Sequence, residues 1–121
     1  MNFGPTAPVL RMFDVDRTRA FYLEFLGFSV EFEHRHAPEL PLYMGVTRAG
    51  CYLHLTEHHG DCTPGSAVRI QVDDIDALHA ELNGKDYGFA KPGIESMPWG
   101  TRELYVMDPS GNRLTFTSPV E

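Results

Sequence analysis

The sequence has only two cysteines, Cys51 and Cys62. Their number and spacing exclude a zinc ribbon and a disulfide scaffold, so reduced thiols in a cytoplasm are the expectation. Basic residues are also scarce: 10 Lys and Arg stand against 17 Asp and Glu, a formal charge of −7 at pH 7. A nucleic-acid binder gains affinity by neutralising phosphates and needs the opposite sign, so no nucleic-acid partner is expected. The acidity favours cationic ligands by long-range attraction, or simply solvates the surface. No apolar run approaches the roughly 20 residues that span a bilayer. The opening MNFGPTAPVL has no basic start followed by a long apolar core, so no secretory signal is read there. There is no P-loop or dinucleotide-binding glycine pattern. Spacing marks no Ser–His–acid or Cys–His set, and no catalytic residue is assigned.

The chain has 121 residues, 42% hydrophobic and 22% charged, which suits one folded domain over residues 1–121. Its informative feature is an internal repeat. Leu10–Asp16 and Ile70–Asp76 each alternate apolar and polar residues, reach an acidic turn and open a helix-like pattern, with Asp14 and Asp74 offset by 60 residues. Both aspartates suit a helix N-cap. The first helix is expected to run to about Leu26 and stop at Gly27; the second carries Ile75, Leu78 and Leu82 on one face and stops at Gly84. Strands are expected at Phe28–Phe32, Leu42–Thr47, Cys51–Thr56, Tyr87–Lys91, Glu103–Met107 and Arg113–Thr117. Turns are expected at Arg48–Gly50 and Asp108–Asn112. Each half, about 6–57 and 66–118, therefore reads βαβββ, with residues 58–65 as the linker. Two such units can pair around a shared cleft.

Six stretches carry a family resemblance. They are Val9-Leu10-Arg11 leading to Asp14, Ala20-Phe21-Tyr22, Leu26-Gly27-Phe28, Val72–Asp76, Pro98–Glu103 and Asp108–Asn112. Together and in this order the sequence resembles the vicinal oxygen chelate superfamily, and within it the glyoxalase/bleomycin-resistance branch. The resemblance covers nearly the whole chain. It implies an α+β fold in which two βαβββ repeats form a cleft-bearing curved sheet. Relatives that do chemistry hold a divalent metal with one ligand from each of four strands. The resemblance places those ligands at Ala7, His54, Ala67 and Thr115. A methyl group ligates nothing, and Thr115 stands where metal-using relatives carry Glu. One histidine does not anchor a catalytic cation, which takes about three protein ligands. No metal and no cofactor are therefore expected. The family's glyoxalase, extradiol-oxygenase and thiol-transfer chemistry falls away with them.

Strand alternation places Leu53, Leu55, Val68, Ile70, Val72, Leu104, Val106, Leu114 and Phe116 under the helices. Tyr52, His54, Thr56, Arg69, Gln71, Glu103, Tyr105, Arg113 and Thr115 then face the cleft. Trp99 is the only tryptophan and sits between Pro98 and Gly100. It is either a core residue or a platform at the cleft rim, where an indole stacks on planar or cationic groups. In the bleomycin-resistance family the matching loop lines the drug groove, which favours the platform. His54 is either a ligand contact or a hydrogen-bonded strand histidine. His34, His36, His58, His59 and His79 read as solvated, and Cys51 as an inert thiol. The candidate ligand-binding set is Trp99, His54, Phe32, Tyr43, Tyr52, Arg69, Glu103, Tyr105 and Arg113, with Phe13 a weaker companion. The function implied is non-covalent sequestration of an antibiotic such as bleomycin, or of a metabolite, by a homodimer with grooves at the subunit interface. The alternatives are a metal-dependent glyoxalase or dioxygenase-type enzyme of the same superfamily, and a small interaction module with an empty cleft.

Overall fold

Asp14 and Asp74 start the two helices of the repeat. In the computed structural model, which describes residues 1–88 and 90–120, the Arg17 amide donates to the Asp14 carboxylate at 3.0 Å. The Ala77 amide donates to Asp74 at the same distance. Each carboxylate satisfies one of the donors that a helix N-terminus leaves open. The first helix, α1 (Val15–Arg19), continues into a π-helical segment, Ala20–Phe25. There the Leu26 amide reaches back five residues to the Phe21 carbonyl at 2.9 Å. The periodicity alone leads to one continuous α-helix; the wider turn departs from it and keeps Phe21, Tyr22, Phe25 and Leu26 all buried. Gly27, at φ +73°, ends the segment, and the Phe28 amide closes onto the Tyr22 carbonyl. The second helix, α2, spans Ile75–Asn83.

Among the described residues eight strands form two four-stranded sheets. The first holds β1 (Val9–Arg11), β2 (Ser29–His34), β3 (Tyr43–Arg48) and β4 (Cys51–Thr56), in the order β1-β4-β3-β2. The second holds β5 (Ala67–Gln71), β6 (Glu95–Ser96), β7 (Thr101–Met107) and β8 (Arg113–Pro119), in the order β5-β8-β7-β6. The first and last strands of each half pair in parallel, with Val9 opposite His54 and Arg69 opposite Thr115. The remaining neighbours are antiparallel. Ala49 and Gly50, both at positive φ, make the tight β3–β4 hairpin turn.

Two expectations are corrected. The described residues of Tyr87–Lys91 form no strand; Phe89, within that stretch, lies outside them. The fourth strand is Glu95–Ser96 instead, paired with Glu103 and Arg102. The earlier segment is committed to the end of α2: Lys91 Nζ donates to the carbonyls of Asn83 and Lys85, and Asn83 Nδ2 donates to the Pro92 carbonyl. Thr56 shares the parity of His54 but is fully buried. The linker folds over it, with the Thr56 hydroxyl donating to Asp61 at 2.7 Å and the His58 amide donating to Thr56.

One hydrophobic core serves both halves. Among the described residues Leu53 and Leu55 of the first sheet and Leu104, Val106, Leu114 and Phe116 of the second belong to it together with Phe21, Phe25, Ile75 and Leu82 of the helical segments, and Val68, Ile70 and Val72 pack against it. The alternation is therefore in register with the pleat. Among the described residues no helix is long and apolar enough to cross a membrane.

Asn112, in the β7–β8 turn, joins the halves. Its Nδ2 donates to Asp108 at 2.8 Å and to the Arg11 carbonyl of β1 at 2.9 Å, while its Oδ1 accepts from the Ser66 amide. Asn112→Ala leaves these buried partners unsatisfied and should cost about 2–4 kcal/mol, by the loss of two or three buried hydrogen bonds. Urea unfolding should show a lowered midpoint with an unchanged slope.

Candidate ligand-binding site

On the first sheet Phe32, Tyr43 and His54 form an aromatic wall. The Phe32 and Tyr43 rings lie 6.0 Å apart and nearly parallel, and His54 meets both edge to face at 5.2 and 5.3 Å. The Tyr43 hydroxyl and His54 Nδ1 are hydrogen-bonded at 2.6 Å, so one ring nitrogen of His54 is engaged and Nε2 is directed elsewhere. The Tyr43 phenol is pushed up, first by burial and then by the nearby Asp61 and Cys62. A register shift between Val30 and Phe32 brings Phe32 opposite Gly45. A Cβ at this position would lie 2.3 Å from the Phe32 ring, so any larger residue there must displace the ring. Sequence reasoning missed Gly45, because its reason lies across the strand pair and not in its own backbone.

On the second sheet Trp99 stands in the turn between β6 and β7. Its indole is 64% exposed, so it is not a core residue. Trp99 shares a cavity of about 270 Å³ with Arg69, Glu95, Glu103, Tyr105, Arg113 and Thr115. Glu103 is only 4% exposed, and four donors converge on its Oε2, while Oε1 accepts from Arg69 Nη1 at 3.4 Å. Arg69 Nη2 reaches Oε2 at 2.5 Å, Thr101 Oγ1 at 2.7 Å, Trp99 Nε1 at 3.2 Å and Thr117 Oγ1 at 3.3 Å. The Arg69 guanidinium, helped by Thr101 and Trp99, holds the Glu103 carboxyl down to about 2.

The candidate residues thus fall into two groups, one on each sheet. Tyr52 and Arg69 link them, lining a groove of about 470 Å³ between the β3–β4 hairpin and β5. Phe13 lies under the Arg11 guanidinium at 5.9 Å. His36 meets His34 and His58 edge to face at 4.8 and 6.2 Å. Burial raises the Cys51 thiol, which disfavours the reactive thiolate.

The donor set does not fit the metal that the fold implies. Ala7, Ala67 and Thr115 offer no imidazole or carboxylate. The residues opposite His54 and Thr115 on the neighbouring strands are Val9 and Arg69, so a two-residue shift in register supplies no ligand either. Among the described residues no group of three or more His, Cys, Asp or Glu side chains is placed to hold an ion.

Two repeated βαβββ halves around one core, each presenting an outward sheet face, define the glyoxalase/bleomycin-resistance fold. The chain belongs to the glyoxalase superfamily, whose family model matches residues 1–121. A bleomycin-binding protein from bleomycin-producing Streptomyces verticillus, solved with copper(II)-bleomycin, is 33% identical over 98% of each chain, with a TM-score of 0.70. TnmS3, an antibiotic binding protein from Streptomyces sp. CB03234, is 22% identical over 98% of this chain and 97% of its own, TM-score 0.73. A glyoxalase-related enzyme from Clostridium phytofermentans is 23% identical over 99% of this chain and 98% of its own, TM-score 0.75. The last two likenesses concern the fold alone. No curated protein matches the chain.

Because the folded Glu103 pKa lies below its unfolded value, the stability this group adds is present above about 4.5 and is lost as the pH falls towards about 2. Glu103→Gln should be less stable than the parent at pH 7. The two urea midpoints should converge between about pH 4.5 and pH 2. A constant gap across that window would rule out the ion pair as the source.

Proposed function

We propose that this protein sequesters a small antibiotic of the bleomycin type, without covalent chemistry, in a groove completed by a second copy of the chain. The observation that carries this reading is an outward-facing indole on one sheet and an aromatic wall on the other. Flat, partly exposed rings are suited to planar or cationic groups. The 33% identical bleomycin-binding protein, matched along the full chain, supports the ligand class. A formal charge of −7 per chain favours a cationic ligand at long range.

The second copy is supported by what one chain leaves uncovered. All six residues of β2, the edge strand carrying Phe32, are exposed, as are Trp99, Tyr105 and Met107. Edge strands and apolar faces of this kind are ordinarily covered. In the proposed homodimer the aromatic wall of one protomer faces the Trp99 loop of its partner. The whole chain, 1–121, acts as one domain with its halves joined by residues 58–65. A cytoplasmic location accords with the free thiols of Cys51 and Cys62. A metal-dependent isomerase or dioxygenase is not proposed, since His54 alone keeps a ligand type among the four positions.

Titration with bleomycin, metal-free and copper(II)-loaded, followed by calorimetry for parent and variants, tests the reading, and the fluorescence of the only tryptophan gives a second readout in the parent. Trp99→Ala should weaken binding up to about thirty-fold, the value of a cation–π or stacking contact. Its melting temperature should stay near the parent's, whereas loss of a core indole would cost about 3–5 kcal/mol. Gly45→Ala should displace the Phe32 ring and weaken binding roughly two- to ten-fold, the range of an aromatic contact. Bleomycin that binds the parent and Trp99→Ala equally well sinks the site; bleomycin that binds neither sinks the function. Separately, light scattering should give twice the 13.6 kDa of one chain, and a concentration-independent monomer would exclude the shared groove.

A further inference from the structure

We propose that Glu103 is a positioning residue, which holds the Trp99 indole in one orientation so that its outer surface is a preformed platform. The proposal rests on the reading that Trp99 meets the ligand, and adds how the indole is kept in place.

The turn that carries Trp99 has a pinned backbone. The Gly100 amide donates to the Met97 carbonyl at 3.1 Å, closing a four-residue turn with Pro98 second and Trp99 third. Proline at the second position fixes φ, and Gly100 takes the positive φ of +94° that follows. The Met97 amide donates to the Thr101 carbonyl, and the Val120 amide to the Gly100 carbonyl. What stays free is the side chain. With 64% of Trp99 exposed, packing alone does not hold it. Its Nε1–H donates to Glu103 Oε2 at 3.2 Å.

Glu103 is itself held on several sides. It sits mid-sheet on β7, opposite Glu95 on one side and Thr117 on the other. Arg69, Thr101 and Thr117 donate to the same Oε2 and hold the carboxylate in place. With 4% of its surface exposed, Glu103 is hardly open to a ligand. Glu103 therefore acts through Trp99.

The test compares Glu103→Leu, which removes every acceptor, with Glu103→Gln, which keeps one. In Glu103→Leu the anisotropy of Trp99 emission should fall and acrylamide quenching should rise, with Glu103→Gln staying close to the parent. Affinity for copper(II)-bleomycin should fall roughly three- to ten-fold in Glu103→Leu, the cost of ordering one side chain on binding. An indole equally immobile in Glu103→Leu overturns the proposal, as does a freed indole with unchanged affinity. If Glu103→Leu fails to fold, the parent's single indole N–H decides. Exchange with solvent slower than in free tryptophan supports the clamp, and exchange at the free rate refutes it. Failure of the parent to bind bleomycin refutes the functional reading, while anisotropy and exchange still judge the clamp.

Discussion

A carboxylate removed from water at the β7–β8 turn governs how the two halves meet. Asp108 is buried, and a buried charge is tolerable only when its oxygens are fully supplied with donors. Its own turn provides three, from the Ser110 amide, the Asn112 amide and Asn112 Nδ2. The fourth is the Tyr22 hydroxyl at 2.7 Å, from the helical segment of the other half. Burial, with Asp108 beside it, pushes the Tyr22 phenol well up, so it stays a donor. Arg11, 3% exposed, completes the arrangement by donating to the carbonyls of Thr56, His58, His59 and Cys62. The apolar core is large but non-directional. These hydrogen bonds supply direction, and with it the placement of both outward faces.

That placement explains why the candidate residues divide between two surfaces. The core-facing parity of each strand is spent on the apolar core that it shares with the helical segments, so the opposite parity faces away from it on both sheets. The aromatic wall and the Trp99 loop are thus separate consequences of one core. In metal-using relatives the same parity would present ligands. Here it presents His54, Arg69 and Thr115, a set able to bond and stack but not to hold a cation.

The repeat, the two caps and the strand parity were legible because each is a local, periodic signal. Asp14 and Asp74 announce helices by position, and Leu104, Val106, Leu114 and Phe116 announce a face by alternation. Trp99 was legible as an exposed residue because Pro98 and Gly100 describe a turn. What stayed hidden depends on partners distant in sequence. Gly45 lacks a positive φ to explain it; only the register shift at Glu31 shows that Phe32 lies over it. Arg11 alternates like any strand residue, and its four partners are carbonyls, which leave no mark in a sequence. Asp108 and Asn112 read as turn formers, which they are, but their long-range bonds need the fold. The strand misplaced at Tyr87–Lys91 failed for a similar reason: Lys91, and Pro92 just after it, serve the end of α2.

The two faces also separate the roles of charge and shape. Arg69 and Glu103 neutralise each other, and one ring nitrogen of His54 is bonded to Tyr43, so several polar groups of the site are already paired. The formal charge of −7 is therefore carried largely elsewhere, on surfaces that act at a distance. On the proposed reading such a field speeds the encounter with a cationic ligand and weakens with salt, while stacking against fixed rings sets how long the ligand stays. Fixing the rings matters for the second role, because side chains ordered before binding need not be ordered during it. Gly45 beneath Phe32 and Glu103 behind Trp99 do this in different ways, one by leaving room and the other by a hydrogen bond. Both act from positions that the ligand need not touch.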